Sequence, residues 1–239
     1  IPQFKNNELD SLKFFNENGF HIEKNIIDEN LCKDLIKESN TFENSLNKSY
    51  KPEMQLHKNN TSIMNFMKNK KITSIVKKII GQGEKIFALQ SSFFYGVSGT
   101  TGSLKHQDSL YTSPETFDSF LSVWIPLVNI NVINMGNLFF YSKSHKLGSL
   151  DTKEINNESV KYQNKNLGTI ETVFDEEGYK KIVLTASPGS LVFLHSNLVH
   201  GSLNNNSIYN RYVLLLTYIR DGVSFREGRE AKRTKVNIE

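Results

Sequence analysis

Through roughly the first eighty residues the apolar side chains recur every three to four positions, and from about residue 85 they recur every second position or run together. The first rhythm belongs to helices with one buried face, the second to strands. In "NNELDSLKFFNENGF" the period places Leu9, Leu12 and Phe15 on one face, an asparagine stands ready as N-cap, and Gly19 is positioned to end the helix. "IIDENLCKDLIKES" repeats the logic, with Asp28 as cap and Leu31, Leu35 and Ile36 as the stripe. "KITSIVKKIIG" predicts a third helix whose apolar face is Ile72, Ile75, Val76, Ile79 and Ile80, stopped by Gly81.

Strands follow in "KIFALQSSFFYGV", "FLSVWIPLVNI", "NLFFYS", "KKIVLT", "GSLVFLHS" and "RYVLLLTYI", separated by turn sequences such as "INMGN" and "SPGS". Many short strands with helices outside predict a barrel or a double-sheet sandwich. The stretch over about 146–179 is polar and weakly periodic, as lid-like insertions are. One α+β domain, mainly β, is therefore expected: helices over about 1–82, a β-rich core over about 83–220 that carries the insertion, and a basic tail over 221–239.

Composition changes this picture little. A chain of 239 residues, 38% hydrophobic, can bury one sizeable core without a second domain. The net charge of +4 comes from cations interspersed with acids, without the concentrated basic face that nucleic acid requires, and the run "FREGREAKRTK" is expected to be a solvated tail. Cys32 is the single cysteine, so a reducing compartment, the cytoplasm, is expected. No apolar run is long enough to cross a membrane, and nothing in the pattern fixes an oligomeric state.

The candidate chemistry lies in "LKHQDSLYTS". His106 and Asp108 stand two apart, which on an extended segment sends both side chains to one side, and His200 ends the apolar strand "SLVFLHSNLVH" far downstream. Alternating polar residues on an exposed strand need no further purpose. Two neutral imidazoles and a carboxylate, however, can occupy one face of an octahedral ferrous ion and leave three positions open. Arg211, eleven residues after His200, begins the next strand, and an adjacent antiparallel pair would set its guanidinium beside the metal, with Ser202 adding a hydroxyl. A zinc- or copper-binding barrel enzyme and a catalytically silent ligand-binding protein are the competing readings of these residues.

Several segments together resemble the phytanoyl-CoA dioxygenase family of Fe(II)/2-oxoglutarate-dependent oxygenases: "FNENGFHIEKNIIDENLC", "HQD", "SVWIPLVNINVINMGNLFFYSKSHK" and "SPGSLVFLHSNLVHGSLNNNSIYNR". The resemblance implies a double-stranded β-helix core, jelly-roll and cupin-like, with the N-terminal helices packed outside. It implies that His106, Asp108 and His200 bind Fe(II), and that Arg211, helped by Ser202, holds the distal carboxylate of 2-oxoglutarate. Gln107 and Trp124 match positions near the cofactor, His145 a structural or lid-adjacent turn, and His195 a packed, hydrogen-bonded residue. The implied reaction consumes O2, hydroxylates an unactivated C–H bond of a small organic substrate, and releases succinate and CO2. Related halogenases replace the carboxylate with a small residue, so Asp108 implies hydroxylation. Lys105, Tyr111, Gln55 and His57 give the expected opening a polar character suited to a polar small molecule; neither nucleic acid nor membrane is implied as a partner.

Overall fold

In the computed structural model, which describes residues 1–43, 52–155, 170–229 and 231–238, helix α1 spans Glu8–Asn18. Asn7 caps it, its side-chain oxygen accepting from the Asp10 N–H at 3.1 Å, and Gly19 closes it in the left-handed conformation at φ 79°. Its buried side chains are Ser11 and Phe15, not Leu9, which is 79% exposed. The Ser11 hydroxyl donates to the Asn7 carbonyl and so enters the core satisfied. Helix α2 (Glu29–Glu43) starts where Asp28 accepts from the Asn30 N–H, and it buries Cys32 and Leu35, leaving Leu31 outward.

Two short helices, α3 (Thr61–Met67) and α4 (Lys70–Val76), are each capped by an asparagine, Asn60 and Asn69. The sequence reading passed over α3, whose seven residues carry the apolar rhythm through two turns only. Beyond α4 a π-turn runs over Lys77–Gly81, and the stop expected at Gly81 falls instead at Gln82 and Gly83, both with positive φ.

The strands are β1 (Phe20–Glu23), β2 (Glu53–Met54), β3 (Ile86–Gly96), β4 (Phe120–Pro126), β5 (Leu138–Tyr141), β6 (Thr152–Glu154), β7 (Ile170–Thr172), β8 (Lys181–Val183), β9 (Leu191–His195), β10 (His200–Ser202), β11 (Arg211–Arg220) and β12 (Val236–Asn237). The large antiparallel sheet has the order β1-β9-β4-β11-β3-β12, and β2 pairs with the other end of β3. The small sheet is β10-β5-β8, and β6 pairs with β7. Two short strands thus share the outer edge of β3, which would otherwise offer a long run of unpaired amides.

Strand alternation gives the large sheet two interiors. Phe93, Tyr95, Val123, Ile125, Phe193, Leu214 and Leu216 face the helices and form one core with Phe15, Leu35, Ile63 and Ile72. Their neighbours Trp124, Val192, Leu194 and Val213 face the small sheet and pack with Leu138 and Phe140. The space between the sheets is where the candidate site residues gather.

The C-terminal segment is not a solvated tail. β12 pairs with β3, Ala231 and Ile238 are buried, and Arg233 is 5% exposed. Of the expected lid-like insertion, residues 156–169 lie outside the described residues; its two flanks meet as the β6–β7 ladder. Among the described residues no helix is long and apolar enough to cross a membrane.

Phe193, fully buried where β9 meets the helices, is a position at which truncation should be felt strongly. Phe193→Ala is expected to cost about 3–5 kcal/mol, and Leu9→Ala less than about 0.5 kcal/mol. Urea denaturation of both variants checks the contrast.

Candidate metal centre and its cavity

His106 and His200 are directly opposed across an isolated antiparallel bridge, each backbone N–H donating to the other's carbonyl at 2.9 and 3.0 Å. Directly opposed residues put their side chains on the same face, and the two imidazole centroids are 4.3 Å apart. Gly201 makes this approach possible: a Cβ there would come within 2.7 Å of the Phe139 ring and 2.9 Å of the Ser103 carbonyl. Asp108 arrives differently from the expectation. The extended segment ends at His106, and Asp108 already has helical backbone angles, its carbonyl accepting from the Tyr111 N–H as helix α5 (Ser109–Thr112) begins. A helical turn, not a pleat, brings the carboxylate beside the imidazoles.

The donor atoms are oriented. His106 Nδ1 donates to the Leu104 carbonyl at 2.8 Å and His200 Nδ1 to the Leu198 carbonyl at 2.9 Å. With their protons so placed, both Nε2 atoms present lone pairs. Ser122 Oγ donates to Asp108 Oδ2 at 2.5 Å, leaving Oδ1 at 3.8 Å from His106 Nε2 and 3.6 Å from His200 Nε2. Three acceptors lie within 4.8 Å of one another, and no hydrogen is directed between them. Burial, reinforced by His200 and opposed by Asp108, pushes the His106 pKa down to about 4, so its imidazole is neutral. Two imidazole nitrogens and one carboxylate oxygen facing one another suit a divalent transition metal. The residues fit the group.

Alternate residues of the same segment face away from these donors, toward the insertion. Lys105 pairs with Glu176 at 2.7 Å, and its carbonyl accepts from the Thr172 N–H of β7. Gln107 is 2% exposed and its carboxamide is fully engaged: Nε2 donates to the Gly148 and Asn197 carbonyls, and Oε1 accepts from the Leu150 N–H. It ties the insertion to the segment and does not line the cavity.

The candidate metal site opens into a cavity of ≈180 Å³ between the sheets, whose walls include Trp124, Ser202 and Arg211. Arg211 lies in a slot between two glycines: a Cβ at Gly96 or at Gly136 (φ +74°) would approach its guanidinium to 3.0 and 3.2 Å, and its Nη1 donates to the Gly136 carbonyl. His200 and Arg211 are not on adjacent strands, as the sequence reading had them. β10 belongs to the small sheet and β11 to the large, so the two residues meet across the cavity instead of along one ladder. Ser202 Oγ accepts from the Ser103 N–H at 2.8 Å.

The other singled-out residues serve elsewhere. His195 accepts from the Asn197 N–H at Nδ1 and donates through Nε2 to Asp118 at 2.8 Å, and that hydrogen bond holds the Asp118 carboxyl below its usual range. The His145 ring lies tilted beside that of His195, 4.9 Å between centroids, and bonds the Asn16 carbonyl. His57 bonds Ser91, and Gln55 donates to the Ala231 carbonyl. Tyr111 does line the cavity. Sequence reasoning missed Ser122, Gln90, Thr217 and Arg233; strand register would have found Ser122, which shares a face with Trp124 two residues on.

The sequence profile described as Phytanoyl-CoA dioxygenase (PhyH) matches residues 15–212. No curated protein matches in sequence. Among solved structures, the carbocyclase SnoK from nogalamycin biosynthesis, described as non-heme and alpha ketoglutarate dependent, superposes with TM-score 0.77 at 15% identity, over 96% of this chain and 90% of that one. The epimerase SnoN, in complex with Fe3+, alpha ketoglutarate and nogalamycin RO, gives 0.74 at 12% identity over 91% and 85%. EctD from S. alaskensis, with 2-oxoglutarate and 5-hydroxyectoine, gives 0.68 at 15% over 88% and 75%. At these identities the likeness is one of fold.

Ser122→Ala removes the hydrogen bond that fixes which Asp108 oxygen faces the imidazoles. Loss of such an outer partner lowers metal affinity about 10–100-fold. Competition for ferrous iron against a chromophoric chelator under anaerobic conditions measures it.

Proposed function

The chain belongs to the phytanoyl-CoA dioxygenase family, and from that premise we propose that it is an Fe(II)- and 2-oxoglutarate-dependent dioxygenase that hydroxylates an unactivated C–H bond of a small organic substrate, releasing succinate and CO2. The observation that carries the reading is the convergence of His106 Nε2, His200 Nε2 and Asp108 Oδ1, three oriented acceptors with a cavity in front of them. The two facing sheets are read as the halves of a double-stranded β-helix.

Bound together, iron, 2-oxoglutarate and dioxygen supply an oxidant strong enough to take hydrogen from carbon. The chain's own tasks are binding, orientation and exclusion of water. His106, His200 and Asp108 hold the metal, two through nitrogens whose protons are committed to backbone carbonyls, one through a carboxylate steadied by Ser122. Arg211 grips the distal carboxylate of 2-oxoglutarate, its guanidinium set by the Gly96–Gly136 slot, and Ser202 offers its hydroxyl nearby. Trp124, Leu138, Leu194 and Leu215 form an apolar wall that keeps bulk water from the reacting centre. We propose hydroxylation as the outcome because Asp108 retains the carboxylate that leaves no ligand position to a halide.

His106→Ala, Asp108→Ala and His200→Ala should each abolish iron-dependent release of succinate while the fold persists; near-parental release by either histidine variant would sink the ligand assignment. Arg211→Ala should weaken 2-oxoglutarate by roughly thirtyfold to several thousandfold, the equivalent of about 2–5 kcal/mol for truncating a buried charged pair. Arg211→Lys should recover only part, since an ammonium lacks the planar two-point grip. The visible charge-transfer band of the anaerobic iron complex reports this affinity apart from turnover.

A further inference from the structure

Arg233, from the C-terminal segment, reaches the same cavity as Arg211. It is 5% exposed; its Nη1 donates to the Tyr111, Arg226 and Glu227 carbonyls at 3.2, 3.3 and 3.3 Å, whereas its Nε has no hydrogen-bond partner. Two further buried groups on the cavity wall share this condition: one end of the Gln90 carboxamide, whose other end bonds Ser92, and the Thr217 hydroxyl. Gln90 and Thr217 are directly paired on β3 and β11, and Thr217 is directly paired with Ser122, the residue that steadies Asp108. Each buried polar group left without a partner costs about 1–3 kcal/mol. Three such residues lining one cavity together with His106, Asp108 and His200 suit it to a polar guest.

The position of these groups separates them from the cosubstrate anchor. Arg211 begins β11 opposite Gly96, whereas Thr217 lies six residues along, opposite Gln90, and the segment carrying Arg233 pairs with β3 at Ala88. At about 3.3 Å per residue, the two ends of this face are about 20 Å apart along the strand. Charge gives a second argument. The cavity wall holds two guanidinium groups and one carboxylate, a net of one positive charge. On the reading above, a divalent metal and doubly negative 2-oxoglutarate cancel each other, so one positive charge remains for the substrate to meet. Arg233 carries it at neutral pH: burial, opposed by Asp108, lowers its pKa only to about 10.

We propose that Arg233, with Gln90 and Thr217, forms a substrate subsite that takes the anionic group of a small polar substrate, a carboxylate or a phosphonate-like oxyanion, at the opposite end of the cavity from Arg211. This deepens the oxygenase reading and rests on it for the identity of the other ligand. The substrate's anion would accept from the Arg233 guanidinium, and its neutral polar groups would meet Gln90 and Thr217, turning the bond to be oxidised toward the face of the metal. Charge-assisted contacts of this kind orient as well as bind.

Trp124 is the chain's single tryptophan and stands in the cavity wall, so its fluorescence reports occupancy. Protein loaded anaerobically with ferrous iron and 2-oxoglutarate is titrated with acetate and, separately, with methylphosphonate. Saturable binding of at least one probe is expected, the tighter one identifying the class of anion. Arg233→Gln should weaken it by about thirtyfold or more while leaving the 2-oxoglutarate band within about twofold. Because Arg233 also holds backbone carbonyls, the parent protein carries a parallel test: the tighter probe should slow phenylglyoxal labelling of Arg233, and 2-oxoglutarate that of Arg211, each resolved by peptide mass spectrometry. The proposal is overturned if the parent binds neither probe, if Arg233 labelling is unaffected by a probe that saturates the fluorescence, or if Arg233→Gln loses 2-oxoglutarate instead. Failure of the oxygenase reading looks different: the parent would form no charge-transfer band with iron and 2-oxoglutarate, whatever the probes do.

Discussion

The reciprocal backbone pair between His106 and His200 is the constraint on which the rest of the site depends. It joins a loop segment to the edge of the small sheet, and an antiparallel pair of this kind leaves no choice about which way the two side chains emerge. The orientation of each ring is then completed by a carbonyl two residues earlier in its own chain, so the same local geometry that builds the pair also decides which nitrogen is left as a lone pair. Residues on the opposite side of the segment are used in turn: Lys105 and Gln107 fasten the insertion. One short stretch of chain therefore presents the His106, Asp108 and His200 donors on one side and holds the insertion on the other.

Polarity in this cavity is arranged against the economy of folding. Helix-facing side chains of the large sheet are aliphatic and aromatic almost throughout, as burial favours. On the opposite face of the same strands stand Gln90, Ser92, Ser122 and Thr217, two of them incompletely bonded. A sheet selected for stability alone would carry apolar residues there, and departures from that consistency mark functional sites.

Legibility followed the range of the interactions. Strands such as β3, β9 and β11 announced themselves because period-two and unbroken apolar runs are local signals. Helix caps at Asn7 and Asp28 were equally local. Leu9 and Leu31 were placed in buried stripes because helical spacing fixes a face without saying which flank of it meets the core; here that flank is Ser11 and Phe15 in one helix, Cys32 and Leu35 in the other. The His106, Asp108, His200 and Arg211 set could be named from sequence, but not the way it is assembled, with Asp108 on a helical turn and Arg211 in the opposite sheet. Arg233 was invisible for a stronger reason. A basic run near a terminus has the composition of a solvated face, and only the pairing of β12 with β3 and the bond from Gln55 to Ala231 carry it inside.

β11 lies in the middle of the large sheet, hydrogen-bonded on both sides along most of its length, and is correspondingly stiff. Arg211, Leu215 and Thr217 project from one face of it into the cavity, so the separation between the guanidinium at its start and the hydroxyl near its end is set by the strand's rise and not by loop conformation. The irregularity against β3 falls between Thr217 and Tyr218, just past the last of these residues, where the ladder changes register without disturbing the pairs at the site. Ser122, paired with Thr217 on the neighbouring strand, ties Asp108 to the same frame. Precision in such a site comes from mounting its groups on shared rigid elements, and here one central strand relates the Arg211 guanidinium, the Asp108 carboxylate and the polar wall to each other.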